Sequence, residues 1–456
     1  MLTAASPAQA TASFDELRRR EFSRLDAENY VYLDYAGSAL YGESQVRSQH
    51  EVLRAGLFGN PHAASAASRA SIEIIEGARH LVLDWLGVDA STHEVCFTAN
   101  ASAAIKLVAE SYPFTPDATL WLAADNHNSV HGMREYARRS GAHVAYLPLD
   151  PELRLLDPEG TLEAAGGHGR GLLAFPAQSN FSGVQHPLAL VERAHARGLD
   201  VLLDIAAFAP SHPISLRECA ADFAVLSFYK LFGYPTGLGA LVVRREALAR
   251  LRRPWFAGGS VTSASAESGR HRLRDGASGF EDGTPNFLGI AALPAGFALI
   301  DAVGLPRLSR HVVDLTSFFL EEIAALRHGN GVPLVRLYGP RDTQQRGGTV
   351  AFNLCDRRGD PYPYTAVEEE ARRLGIALRG GCFCNPGASE AAFGLAPPQI
   401  GPCLDGLGAE YTPERLATCT GTVVGAVRVS IGLANNREDI RRAIALLASF
   451  RDPLHF

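Results

Sequence analysis

Between residues 95 and 243 the sequence repeats one pattern, a short apolar run followed by a stretch of helical periodicity. The runs are 95–98, 119–123, 143–147, 172–176, 200–204, 223–228 and 239–243. Several are apolar at successive positions instead of alternating with polar residues, as in Val201-Leu202-Leu203 and Phe223-Ala224-Val225-Leu226. A strand that is apolar on both faces must be covered on both faces, and helices between strands provide that cover. The pattern therefore predicts an α/β fold, a mainly parallel sheet in an α/β/α sandwich. Ligands of such sheets bind beyond the strand carboxyl ends, where the small-residue turns of this chain fall.

After about residue 300 the texture changes. Long amphipathic stretches (308–326 and 364–374) alternate with apolar runs at 349–354 and 427–431, which predicts a smaller α+β domain. A chain of 456 residues exceeds what one core usually supports. We divide it into an N-terminal segment packing with the small domain (1–45), a large domain (46–300) and a small C-terminal domain (301–456). The stretch 394–425, rich in Gly and Pro, reads as a long loop. A net charge of -6 leaves no electrostatic footprint for nucleic acid. No run of 18 apolar residues occurs, so no membrane span is expected. The first 13 residues lack a basic region followed by an apolar one and read as a frayed terminus, not a signal peptide. Seven scattered cysteines suggest reduced thiols in a cytoplasmic protein.

Lysine is rare here. Of the 43 basic side chains 41 are arginine, and the two lysines are Lys106 and Lys230. A guanidinium stays protonated, whereas a lysine amine can lose its proton and condense with an aldehyde. Lys230 follows an apolar run and precedes a glycine-rich segment ending at Gly239, a strand end opening onto backbone that a ligand can approach closely. We take it as the candidate Schiff-base lysine. Lys106 reads as an ordinary surface lysine.

A phosphorylated pyridine aldehyde would need three further groups: an acid at the ring nitrogen, donors at the phosphate and a flat partner for the ring. Asp204 ends a buried run 26 residues before Lys230 and is the candidate acid; a cap on the next helix is the competing reading. Ala101 and Ser102 lie at a strand-to-helix turn, where amides bind phosphate, although Ser is common there as a cap. His127 follows a strand and is either a ring-stacking residue or a solvated loop histidine. Further on, Arg379-Gly-Gly-Cys382-Phe-Cys384-Asn-Pro-Gly describes an exposed thiol beside a cation that favours the thiolate. A metal reading of Cys-x-Cys lacks a second ligand pair at zinc spacing, so no metal is expected. Arg428, in an apolar run, is either a clamp for a substrate carboxylate or half of a buried ion pair.

Taken together, these segments resemble the class V aminotransferase-like, fold-type I pyridoxal phosphate enzymes, and among them the cysteine desulfurases. The nearest likeness is to the N-terminal desulfurase domain of molybdenum cofactor sulfurases. The matching segments are Tyr-Leu-Asp-Tyr-Ala-Gly (32–37), Gly-Asn-Pro-His (59–62), Phe-Thr-Ala-Asn-Ala-Ser (97–102) and Pro-Ala-Gln-Ser-Asn-Phe-Ser-Gly (176–183). They continue with Ser-Phe-Tyr-Lys-Leu-Phe-Gly-Tyr-Pro-Thr-Gly-Leu-Gly (227–239), Phe-Glu-Asp-Gly-Thr-Pro (280–285) and the Cys384 segment (379–387).

The resemblance implies pyridoxal 5'-phosphate as cofactor, with Lys230 as its lysine, Asp204 as the pyridine-nitrogen acid and His127 stacked on the ring. Asn180 would lie near the ring hydroxyl, and Ser102, Ser227 and Tyr229 at the phosphate. Thr284 would reach the phosphate from the partner subunit of a homodimer. Arg428 would hold the substrate carboxylate, with Arg379 near it, and Cys384 would carry a persulfide. The implied reaction converts L-cysteine to L-alanine and passes sulfur to an acceptor, a protein or the molybdenum cofactor. The alternative is another enzyme of the class V group, a carbon–sulfur lyase, epimerase or aminotransferase. The family pattern departs at Ala207, where a Gln is usual, so contact with the ring oxygen would fall to Asn180 alone. With its last residue at Phe456, the sequence is expected to correspond to the desulfurase part of full-length sulfurases without their C-terminal domain.

Overall fold

In a computed structural model, which describes residues 13–164 and 170–452, the seven apolar runs form one sheet. Its strands are β1 (His93–Thr98), β2 (Thr119–Ala123), β3 (His143–Leu147), β4 (Gly171–Pro176), β5 (Leu199–Asp204), β6 (Phe223–Ser227) and β7 (Gly239–Arg244). They lie in the order β1-β7-β6-β5-β4-β2-β3. All neighbours are parallel except β7, which runs antiparallel to both β6 and β1. Strands β4 and β6 are buried at every position, the reason their sequences do not alternate. Two large apolar clusters, one on each face, include Phe175, Val201 and Leu203 on one side and Leu172, Leu202 and Val225 on the other. No single helix among the described residues is long and apolar enough to cross a membrane.

A second, antiparallel sheet is built from β8 (Val335–Tyr338), β9 (Thr349–Leu354), β10 (Arg379–Gly381) and β11 (Ala426–Ser430), in the order β8-β9-β11-β10. Helices Leu305–Ala325 and Arg437–Ala448 supply Phe319, Ile440 and Leu446 to its core, which also buries Val31 and Leu33. Those two residues come from the N-terminal segment, whose strand Val31–Tyr32 pairs in parallel with Ile376–Ala377.

Several expectations are corrected. The stretch 394–425 is not a long loop: it holds helices Pro397–Leu407 and Pro413–Thr420. Pro397, Pro398 and Pro413 sit in first helical turns, Pro402 lies inside a helix, and Gly394, Gly408 and Gly421 take positive φ at helix ends, so most of this Gly/Pro content marks helix boundaries. The cysteines are not all reduced, since Cys403 and Cys419 form a disulfide across that helical pair. Spacing along the chain carried no sign of it; the hairpin brings the two together. Cys96, Cys219, Cys355, Cys382 and Cys384 are free. The glycine-rich segment at Lys230 opens with a helical turn, Phe228–Phe232, closed by Gly233 at φ 83°. Elsewhere, helices Phe14–Glu21 and Ser23–Ala27 are separated by the buried Phe22, and Asn128–His131 and Met133–Arg139 by Gly132. The frayed-terminus reading concerns residues of which 1–12 lie outside those described.

Burial has a consequence for acid stability. His131 and His212 are 6% and 8% exposed, and burial pushes both rings down to about 4 from an ordinary 6.5. Between those values the unfolded chain binds more protons than the folded one. Stability is therefore full above the unfolded value and is lost as pH falls through the window, by up to about 3 kcal/mol for each ring. Urea unfolding should show a lower midpoint at pH 4.5 than at 7.5, with the difference shrinking in a His131→Asn, His212→Asn double variant. An unchanged difference would exclude these rings as its source.

Candidate functional site

The carboxyl ends of β1, β2, β4, β5 and β6 open on one edge of the large sheet, joined there by the amino end of β7, whose Gly239 pairs with both Thr98 and Ser227. Glycine is required at that point because a Cβ on Gly239 would lie 2.5 Å from the Asn100 carbonyl carbon. Beyond this edge is a cavity of about 330 Å³. Lys230, Asp204, His127 and Asn180 line it, as do Ala101, Ser102, Ser227 and Tyr229. Eight residues chosen from the sequence, spread from 101 to 230, thus converge on one space. Lys106 lies elsewhere, 60% exposed and paired with Glu110 at 3.4 Å.

Burial lowers the affinity of the Lys230 amine for its proton; Asp204 opposes the shift and Arg428 adds to it. The capping reading of Asp204 is visible in its hydrogen bonds. Oδ1 accepts the Ala206 N–H at 2.9 Å and caps the turn, while Oδ2 has no hydrogen bond among the described residues. Burial and the charge of Lys230 also keep His127 below its ordinary value. Its Nδ1 accepts the Ser129 N–H at 3.1 Å, so the neutral ring carries its proton on Nε2.

The helix Ala101–Ser111 points its amino end at the cavity. The Ala101 N–H is already engaged by Ser227 Oγ at 2.8 Å, and the Ala103 N–H by Asn100 Oδ1 at 2.9 Å. The Ser102 N–H and hydroxyl are the groups left for an anion, so Ala101 shapes this end without donating to it. Ser102 Oγ lies 2.6 Å from Ser129 Oγ.

The cysteine loop stands beside this cavity. Phe383 and Cys384 both adopt left-handed φ, 56° and 55°, which costs an ordinary L residue about 1–2 kcal/mol. Three side-on hydrogen bonds hold it there. Asn180 Nδ2 donates to the Phe383 carbonyl (2.7 Å), the Asn128 N–H to the Cys384 carbonyl (2.7 Å), and Asn385 Nδ2 to the Asp125 carbonyl (2.6 Å). Asn385 also donates to Asn180 Oδ1 at 2.9 Å. The Asn180 amide therefore faces the cysteine loop as well as the cavity, a role its sequence position did not suggest. Cys384 is exposed; Cys382 is half-buried against the helical hairpin, and burial pushes its thiol up.

Of the two readings of Arg428, the buried ion pair is the one observed. The side chain is 2% exposed, donates from Nη2 to Asp34 Oδ1 (2.9 Å) and from Nη1 to the Asn180 carbonyl (2.9 Å), and stacks 4.7 Å from the Phe383 ring centroid. Its buried Nε has no hydrogen-bond partner among the described residues. Arg379 reaches the same carboxylate, with Nε 3.0 Å and Nη2 2.7 Å from Asp34 Oδ2. Arg379 therefore does not face the thiol alone.

Three residues escaped the sequence reading. Asp34 stood in the quoted Tyr-Leu-Asp segment, but nothing nearby in sequence revealed its arginines. Gln178, 3% exposed, lines the cavity and donates to the Ala207 carbonyl at 2.9 Å, beside the position where the family pattern has Gln. Ser129 is two residues past His127. Thr284 does not line the cavity; it is exposed, with Oγ1 3.5 Å from Asn60 Nδ2.

What the edge offers is a buried amine that holds its proton less tightly than an ordinary lysine, a carboxylate, an imidazole and a cup of donors at a helix end. Such a set suits a planar group bearing a phosphate. A family model described as Aminotransferase class-V matches residues 31–443. Molybdenum cofactor sulfurase of Arabidopsis thaliana is 36% identical over 97% of this chain and 58% of its own length. That of Homo sapiens is 33% identical over 96% of this chain and 51% of its own. The chain thus spans little more than half the length of these relatives. Among solved structures, a cysteine desulfurase of Thermococcus onnurineus aligns with TM-score 0.77 at 23% identity, covering 98% of this chain and 99% of that one. The cysteine desulfurase CsdA of Escherichia coli aligns with TM-score 0.74, also at 23% identity and covering 98% and 99%. At that identity the likeness establishes the fold.

Proposed function

Because the chain belongs to the class-V aminotransferase family, we propose that it is a pyridoxal-phosphate enzyme that takes sulfur from L-cysteine onto Cys384 and releases L-alanine. The observation that carries the reading is the joint placement of Lys230 in the cavity and Cys384 on a loop bonded to the cavity wall through Asn180. The resident residues fit the cofactor. Ser102 and its helix end suit the phosphate, Asp204 Oδ2 is unclaimed, and His127 is a neutral ring at the cavity wall. When bound, pyridoxal phosphate supplies an electron sink for charge that develops at the substrate Cα.

The chain's own groups divide the remaining work. Arg428, with a free Nε, holds the substrate carboxylate and orients Cα. Lys230, neutral at a lower pH than an ordinary lysine, takes the Cα proton and later returns one. Asp204 holds a proton at the pyridine nitrogen. The Cys384 thiolate attacks the substrate sulfur: the Cys384 Sγ–S bond forms, the Cβ–S bond breaks, and its electron pair stays with the carbon skeleton, which is protonated to alanine. The thiol and L-cysteine become the persulfide and L-alanine, with no external oxidant or reductant.

An acceptor must then remove the sulfur, and the relatives' names support the molybdenum cofactor in that part. A homodimer belongs to the same reading. Thr284 stands outside the cavity, and exposed apolar side chains are available for a second copy to cover, among them Leu288, four residues on and 41% exposed, Leu57 at 80% and Trp255 at 44%. A second copy covering them would bring Thr284 to its partner's phosphate.

Product analysis tests the reading. A single turnover with L-cysteine should give alanine in equal amount to a persulfide located at Cys384 by mass spectrometry, and Cys384→Ser should slow alanine release by roughly tenfold or more. Pyruvate and ammonia as products, or alanine at an undiminished rate from Cys384→Ser, would reject it in favour of a lyase or an aminotransferase.

A further inference from the structure

We propose that Ser129 is a positioning residue that links the phosphate end of the cavity to the ring of His127; the inference rests on the cofactor reading above. Ser129 Oγ lies 2.6 Å from Ser102 Oγ and 3.1 Å from His127 Nδ1, while the Ser129 N–H also reaches Nδ1 at 3.1 Å. Ser129 itself lines the cavity.

Counting protons sets how this chain responds to a ligand. A backbone N–H can only donate, so Nδ1 is an acceptor and bears no proton. Each hydroxyl has one proton to give. With no anion present, Ser102 donates to Ser129 and Ser129 donates to Nδ1, which then accepts two hydrogen bonds. A phosphate at the helix end presents charged acceptor oxygens and draws the proton of Ser102. Ser102 Oγ is then an acceptor, and the Ser129 proton turns toward it. Nδ1 keeps the Ser129 N–H alone. Phosphate occupancy is thereby reported at the ring that stacks on the cofactor, through one hydroxyl.

The geometry explains why a serine is useful at this position. Its backbone fixes the tautomer of His127 whatever the side chain does, because the N–H bond survives in any variant. The hydroxyl adds the link to Ser102. Removing the hydroxyl should leave the ring in place but disconnect it from the anion.

The test uses the full-length protein freed of cofactor, with inorganic phosphate and pyridoxal phosphate as probes. In wild type, phosphate should shift the His127 Nδ1 resonance in 15N NMR. In Ser129→Ala the shift should vanish, and in Ser129→Thr, which keeps a hydroxyl, it should return. Affinity for pyridoxal phosphate, read by absorbance, should fall about fivefold in Ser129→Ala, and affinity for pyridoxal, which lacks the phosphate, by less. Circular dichroism confirms that the variants are folded, and the threonine variant separates loss of the hydroxyl from general damage. If wild type binds pyridoxal phosphate but Ser129→Ala shows the same phosphate-induced shift, the link is overturned and the cofactor reading stands. If wild type binds neither probe, both fall.

Discussion

Lys230→Ala should leave a folded protein whose alanine formation from L-cysteine is lower by about 10⁴-fold, the upper range for losing a positioned proton-transfer group. The sequence makes this an unusually clean experiment. Its other lysine, Lys106, is on the surface and paired with Glu110, so no second lysine amine lines the cavity to substitute. Lys230→Arg should be no better than alanine, since a guanidinium stays charged and cannot take a proton. The pH dependence follows from burial. A base whose proton affinity is lowered becomes neutral at lower pH, so Lys230 should react with carbonyl reagents at lower pH than an ordinary lysine does. Reductive labelling with pyridoxal phosphate across a pH series, followed by peptide mapping, reads both lysines in one sample. Equal pH midpoints would show that the amine is not desolvated as described. Turnover of Lys230→Ala within tenfold of wild type would remove Lys230 from the proton transfers.

The same contrast shows what could be read from residues and what could not. Strands β4, β5 and β6 lie within about a residue of their apolar runs because burial on both faces leaves no choice of residue type. Strand β10, Arg-Gly-Gly, has no apolar residue at all. It is a strand because β11 lies beside it, and only the pairing reveals it. The Pro and Gly of 394–425 failed as loop markers for a related reason. Pro at a first helical turn and Gly at a helix end are the same letters as a loop, and only the helices between them decide. At the site, the carboxyl edge of a parallel sheet predicted where Lys230, Asp204 and His127 would meet. It did not predict side-chain direction. Asn180, expected near the ring hydroxyl, lines the cavity and in addition braces the cysteine loop, and Asp34 is 345 residues from one of its arginines and 394 from the other.

Removing Asp34 should be the most damaging change outside the reacting groups, and the register of the small sheet explains why. Arg379 of β10 and Arg428 of β11 are direct cross-strand partners. Like charges facing each other across a strand pair repel. The Asp34 carboxylate, 8% exposed, separates them, with Oδ1 on Arg428 and Oδ2 on Arg379. Asp34→Ala leaves Arg428 buried with no counterion and Arg379 opposite it. Breaking a buried pair in this way costs about 3–5 kcal/mol, and the half-exposed side chain of Arg379 places the expectation toward the lower figure. Asp34→Asn keeps the shape but not the charge and should also be destabilised. On the proposed function the same carboxylate would compete with a substrate carboxylate for Arg428. In the variant that competition is gone, so millimolar L-alanine, the proposed product, should raise the unfolding midpoint of Asp34→Ala more than that of wild type. Denaturant unfolding with and without L-alanine measures both effects. An unchanged unfolding free energy would show that the two arginines do not need Asp34. A destabilised variant that L-alanine does not rescue would show that the gap between them is not where a carboxylate binds.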